Sequence, residues 1–157
     1  VEHVVTPPCG FAAGVGDIAV LVLDQDLEGV AVKEIRLDEP PQVGDRISPS
    51  GFGQCADSEQ GVRRHSREGG SVEQVFATRI RAQAAVCPGD SGGPGVDEHD
   101  RVVGVVSASA MDGHENTRHV TEFTRLDHFR EVFANGLRLA EGENPAELPP
   151  LSCPEDP

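Results

Sequence analysis

The sequence predicts an antiparallel all-β domain with a single late helix, and three observations carry that expectation. Seven or more short apolar stretches of strand length follow one another, several alternating with the period of two that a half-buried strand requires. Glycine and proline, 18 and 12 of the 157 residues, interrupt the chain too often for long helices. Only one segment, near the C-terminus, carries apolar residues at helical spacing. No internal repeat of fixed period is present.

Taken in order, residues 1–5 alternate and predict a strand, followed by a Pro- and Gly-rich loop through Gly16. Residues 17–23 form a nearly continuous apolar run, the pattern of a strand buried on both faces. A turn over residues 24–29 leads to a second alternating stretch, Val30, Val32, Ile35 and Leu37, with one slip in the alternation. Pro40-Pro41 marks a connection, and Val43 to Ile47 opens a strand that runs into Gly51-Phe52-Gly53. Residues 56–61 are polar and loop-like. Strands are expected from Val62 and over residues 72–80, with Gly69-Gly70-Ser71 as the hairpin turn between them. Residues 102–106 read as a buried strand, 112–118 as a polar loop and 119–126 as a further strand. Leu126, Phe129, Val132 and Phe133 then define the helix, which Asp127 can cap and Gly136 can end. Beyond Ala140 the Pro- and Glu-rich tail reads as a linker or an arm.

Composition narrows the partners. Thirteen basic residues against 27 acidic ones give a formal charge of −14, which argues against nucleic acid or an anionic membrane surface. The longest apolar run, bounded by Asp17 and Asp24, is far short of the roughly 18 residues that a spanning helix needs. The chain opens without an initiating Met or a signal peptide, which reads as a processed chain or a piece of a longer one. With no Trp and no Tyr, the core must rest on Val, Leu, Ile, Ala and six Phe. Cys9, Cys55, Cys87 and Cys153 fit no zinc spacing; an even count permits two disulfides in three connectivities. A cysteine in the polar tail is explained by pairing, so an oxidising compartment is expected, secreted or extracellular or periplasmic. No metal or cofactor is expected. Residues 24–29 imitate the start of a calcium loop, but Ile35 stands where its bidentate Glu belongs. His114, Glu115 and His119 read as a solvated loop rather than a metal site.

The chemistry concentrates in Cys87-Pro88-Gly89-Asp90-Ser91-Gly92-Gly93-Pro94. So many small residues let the backbone curl, take up positive φ and bring amide N–H groups to a reacting atom. A plain tight turn or a phosphate cradle is the bland alternative. The G-x-S-x-G elbow of a parallel α/β sheet also matches formally, but it needs a helix directly after the serine. Gly92-Gly93-Pro94-Gly95 are among the poorest helix formers, so that reading fails on context.

Residues 87–94 resemble, at every fixed position, the C-x-G-D-S-G-G-P motif of the chymotrypsin- and trypsin-like serine proteases. Supporting segments follow in the family's order. Gly16-Asp17-Ile18-Ala19-Val20-Leu21 resembles the segment that carries the triad aspartate, and Ser50-Gly51-Phe52-Gly53 the stretch opening the second barrel. Val105-Val106-Ser107 resembles the substrate-cleft strand, and Phe123-Thr124-Arg125-Leu126 the approach to the C-terminal helix. The resemblance implies a Greek-key double β-barrel with its second barrel complete and its first partial. Residues 1–38 would be the remaining part of the first barrel, 39–126 the second barrel, 127–138 the helix and 139–157 an acidic Pro-rich tail.

Roles follow from the same resemblance. Ser91 would attack a peptide carbonyl, with the N–H groups of Gly89 and Ser91 as the oxyanion hole and Asp17 orienting an imidazole. Ser107 would support Asp17, and Asp90 would match the aspartate that in many members pairs with a new N-terminus after activation cleavage. The cleft strand through Ser107, Ala108 and Ser109 would meet substrate. Ala85 stands where trypsins carry an aspartate, and Thr121 where glycine leaves a deep pocket, which implies a shallow, uncharged pocket for small or apolar side chains. The cysteine that normally pairs with Cys87 is absent. Cys55 would replace it and leave Cys9 with Cys153.

The catalytic histidine has no counterpart here. His3, the one upstream histidine, lies in an alternating strand without the required turn. A complete domain of this kind runs to about 200–250 residues, so a histidine-bearing segment or separate chain would have to complete the site. Alone, the chain would show only residual catalysis. The alternative is a non-catalytic homologue kept as a binding or regulatory module, although such a module has no physical need to retain both Asp17 and Ser91.

Overall fold

The computed structural model describes residues 1–9, 15–55, 62–110 and 119–153. The expected loops at 56–61 and 112–118 lie outside the described residues, as do His114 and Glu115. Two short strands, β1 (His3–Val5) and β2 (Val20–Val22), pair antiparallel. The rest are β3 (Arg46–Gly51), β4 (His65–Ser66), β5 (Gly70–Val75), β6 (Arg79–Ala82), β7 (Pro94–Val96), β8 (Val102–Ala110) and β9 (Val120–Arg125). A 3-10 turn, Asp127–Phe129, leads into α1 (Arg130–Ala140).

The large sheet closes on itself. Its order is β3-β5-β6-β9-β8-β7, and β7 returns to β3 through Ser48↔Val96 and Pro49↔Gly95, making a six-strand antiparallel barrel. Strand β4 adds to β3 outside that ring, at Ser50↔Ser66 and Gly51↔His65. Alternation places one face inward: Ile47, Ile80, Ala82 and Phe123 are buried while Arg79, Arg81 and Glu122 keep contact with water. Val72, Ala84, Val86, Val103 and Val106 complete the barrel core. The Phe123 ring is the largest fully buried side chain, and it fits because two facing strands carry glycine. A Cβ on Gly95 would stand 2.7 Å from Phe123 Cε1, and one on Gly104 2.9 Å from Phe123 Cβ. The barrel, the partial first unit and the short helix are the fold class that the sequence predicts.

Helix α1 covers the other unit. Its buried residues Val132, Gly136 and Leu139 recur at helical spacing. Val132 and Leu139 form a second core with Val5, Val22 and Phe129, edged by Ile18, Val20, Leu148 and Leu151. The disulfides Cys9–Cys153 and Cys55–Cys87, each with Cα atoms 5.3 Å apart, form the pairing that the resemblance implied. The first ties the loop after β1 to the C-terminal arm.

Five local expectations are corrected. Residues 17–23 give a strand only at Val20–Val22, and Leu21 and Leu23 are exposed, because one face of the β1–β2 pair has no covering layer among the described residues. Residues 30–37 form no strand: Val32 is 92% exposed, and a single parallel bridge joins Ile35 to Val102. Gly70-Ser71 opens β5 instead of turning a hairpin; the hairpin falls after β5, where Phe76 N–H donates to the Arg79 carbonyl at 2.8 Å. Gly70 is glycine because the Gln83 carbonyl occupies the place of its Cβ. Gly136 does not end the helix but sits within it against Val20, and the chain turns out at Gly142, with φ of +91°. Asp127 likewise makes no side-chain cap, since Arg125 holds its carboxylate through Nε at 3.0 Å and Nη2 at 2.7 Å.

Truncating the ring at the barrel centre tests this packing. Phe123→Ala is expected to lower the unfolding free energy by about 3–5 kcal/mol, read from the urea midpoint with disulfides intact.

Candidate active site

Ser91 lies in the loop between β6 and β7, which internal hydrogen bonds curl. Asp90 N–H donates to the Cys87 carbonyl at 3.0 Å and Gly93 N–H to the Asp90 carbonyl at 2.9 Å. The loop is stitched to β8 by Gly92 N–H to Val106 O at 2.8 Å and Val106 N–H to Gly93 O at 2.9 Å. Gly89 and Gly92 take φ of +98° and +81°, left-handed conformations that glycine adopts without strain. Ser91 is exposed, and no acceptor among the described residues takes the N–H of Gly89 or of Ser91. Two backbone donors flanking a solvent-facing hydroxyl are what stabilisation of an oxyanion requires.

Asp90 anchors the loop from beneath. Its side chain has no exposed surface, and its two oxygens accept four hydrogen bonds. Oδ1 takes Gly53 N–H at 2.8 Å and Arg67 Nη2 at 3.1 Å; Oδ2 takes Arg67 Nε at 2.8 Å and Cys87 N–H at 2.8 Å. Burial by itself would raise the pKa of this carboxyl. The Arg67 hydrogen bond, the Cys87 and Gly53 N–H groups and the Arg67 charge outweigh it and hold the pKa below the ordinary 3.8. Among the described residues the charged partner of Asp90 is Arg67, an internal arginine.

Asp17 reaches the site from the other unit. Ser107 Oγ on β8 donates to Asp17 Oδ2 at 2.5 Å, fixing the carboxylate across the cleft. Asp17 and Ser91 both line a cavity of about 730 Å³, together with Gly16, Ile18, Ala19, Leu21 and Val105. None of the described residues lining it is a histidine, and His3 is paired with Val22 on β1 instead.

The remaining expected substrate-contact residues are not gathered there. Ala108 and Ser109 line a separate recess of about 390 Å³ with Arg81, Val120 and Glu122. Ala85 is buried, and Thr121 is fully buried with its hydroxyl donated to the Ala84 carbonyl at 2.7 Å, so it presents no surface to a ligand. The loop from 111 to 118, which joins β8 to β9, lies outside the described residues. Arg67 escaped the sequence reading altogether. Its only local signal is a basic stretch, Arg63-Arg64-His65-Ser66-Arg67, which reads as a solvated strand edge.

A closed six-strand antiparallel barrel bearing a glycine-framed serine, with an aspartate delivered from a second unit, defines the class: a chymotrypsin-like fold. The sequence model of the Trypsin family matches residues 6–132, and the chain belongs to that family. Among curated proteins no match is found. Among solved structures, a mutant of human heparin binding protein aligns with a TM-score of 0.65 at 22% identity, covering 83% of this chain and 61% of that one. The HtrA-type protease AlgW with a decapeptide aligns with a TM-score of 0.55 at 19% identity, covering 73% of this chain and 36% of that one. The chain thus spans between about a third and three-fifths of the length of these structures.

A carboxyl whose pKa is depressed on folding stabilises the fold above its unfolded pKa, and that contribution is lost as pH falls through the folded value. Unfolding free energy is therefore expected to drop below about pH 4. Asp97, also held low against the pull of burial by hydrogen bonds from Arg101 and His99 and by the Arg101 charge, adds to the same limb. Urea titrations across pH 2–6 are expected to show a shallower acid limb for Asp90→Asn, by up to about 1.4 kcal/mol per pH unit.

Proposed function

We propose that this chain carries the nucleophile and the orienting aspartate of a serine endopeptidase that hydrolyses peptide bonds through an acyl-enzyme. One observation carries the reading: Ser91, between free oxyanion donors, shares a cavity with an aspartate already fixed by Ser107. In the first step Ser91 Oγ attacks the scissile carbonyl while an imidazole takes its proton. The carbonyl oxygen, now negative, accepts from Gly89 and Ser91 N–H; the imidazolium then returns the proton to the leaving amine. Water repeats the sequence to release the acyl group. Asp17 holds the imidazole and stabilises its charged form.

The imidazole is to come from a segment or chain beyond these residues, docking against the apolar side of the cavity at Ile18, Ala19 and Leu21. The substrate class is a protein or peptide, in keeping with the decapeptide named for AlgW. A preference for small or apolar side chains before the scissile bond rests on the resemblance alone, which puts uncharged Ala85 where trypsins carry an aspartate; a secreted, extracellular or periplasmic location rests on the two disulfides. The competing reading is a non-catalytic homologue that keeps the same cleft as a binding or regulatory module.

A fluorophosphonate probe separates the two. In a protein that joins this chain to its histidine-bearing portion, Ser91 is expected to label covalently, and Ser91→Ala to abolish labelling. Asp17→Asn is expected to slow it by about 10³–10⁴-fold. A folded, histidine-containing protein that leaves Ser91 unlabelled would rule out the enzyme. Peptide substrates with Ala or Val before the cleaved bond are expected to exceed Lys or Arg in kcat/KM by at least about tenfold.

A further inference from the structure

The buried ion pair beneath Ser91 has a consequence for how the site is switched on. Asp90 directly precedes Ser91, so whatever fixes Asp90 fixes the two oxyanion donors on either side of it. Its four acceptor positions are filled by Arg67, Cys87 and Gly53. The space around it is equally full. A Cβ on Gly53 would stand 2.6 Å from Asp90 Oδ1, and one on Gly51 would collide with the same oxygen. Arg67 itself is largely buried, with 11% of its side chain exposed, and its Nη2 also donates to the Gly53 carbonyl at 2.7 Å. An amino group arriving from a cleaved chain end would have to expel a guanidinium that makes a bidentate contact, leaving one of two buried charges unpaired.

We propose that Arg67 is the positioning residue of this site: its guanidinium, clamped on Asp90 at 2.8 Å, holds the Gly89–Ser91 loop in working form in the uncut chain, so that no cleavage-liberated amino terminus is needed. The proposal rests on the reading of Ser91 as nucleophile for its functional meaning, but not for its geometry. Arg67 touches no reacting atom and acts only through Asp90. A compact ammonium lacks the planar fork, so lysine at this position can supply charge but not both bonds.

Hydrogen exchange on the intact 157-residue chain tests the geometry without calling on catalysis. The hydrogen-bonded amides of Cys87, Asp90, Gly92 and Gly93 in Arg67→Met are expected to exchange at least about tenfold faster than in the parent, with Arg67→Lys in between and β9 unchanged. Arg67→Lys alone is read if Arg67→Met does not fold. In the histidine-containing protein the same variants are expected to lower kcat far more than they raise KM, since the oxyanion donors act in the transition state. Unaltered loop exchange in both variants would overturn the proposal. So would a parent loop that becomes protected only after proteolysis exposes a new amino terminus. Should the exchange results hold while the parent never labels at Ser91, the enzymatic reading falls and the role of Arg67 stands.

Discussion

Most of what makes this serine loop more than a turn passes through the carboxylate of Asp90. Its two oxygens collect donors from three separated places, Gly53 after β3, Arg67 after β4 and Cys87 at the head of the loop itself. The Cys55–Cys87 disulfide runs alongside and joins two of those places covalently. Taking one charge into a protein interior is costly, and only a full set of partners makes it tolerable. That demand explains the glycines at 51 and 53, whose missing side chains leave room for the carboxylate. It also explains why a strand as short as β4 exists: it brings Arg67 to within reach of the barrel edge.

The serine loop could be read from the sequence because nearly every constraint on it is local. Positive φ at Gly89 and Gly92, the close approach of Gly93 to the Ser50 carbonyl and the break at Pro94 each leave a mark on residue type. The barrel strands were legible for the same reason, through alternation at Ile80, Ala82 and Phe123. Arg67 was not, since the partner of a buried carboxylate can come from anywhere in the chain and carries no periodicity of its own. Residues 30–37 show the opposite failure. Their alternation is real, but alternation becomes a strand only where a neighbour supplies hydrogen bonds and a surface to cover, and Val32 finds neither. Gly70 and Gly136 read as punctuation in the sequence, yet each is small because something else needs its space, the Gln83 carbonyl in one case and Val20 in the other.

The pocket residues were harder still. Assigning Thr121 and Ala85 to a substrate wall used position along the chain, while exposure depends on how β6, β9 and their loops pack. Both side chains turn out to face inward, and the Thr121 hydroxyl serves the Ala84 carbonyl.

Much of what brings Asp17 to the cavity of Ser91 touches neither residue. Asp17 belongs to the small β1–β2 unit, and a two-stranded ribbon has little stability of its own. What holds that ribbon against the barrel is α1, which continues directly from β9 and buries Val132 and Leu139 on Val5 and Val22. The Cys9–Cys153 disulfide then ties the C-terminal arm over the ribbon's loop. The helix, the arm and the Ser107 hydrogen bond therefore act together as the frame that brings the aspartate to the serine's cavity. The opposite face of the ribbon, with Val4 and Leu21 turned outward, is left without such a frame among the described residues. On the proposed reading, the piece that brings the imidazole would cover this apolar surface as well.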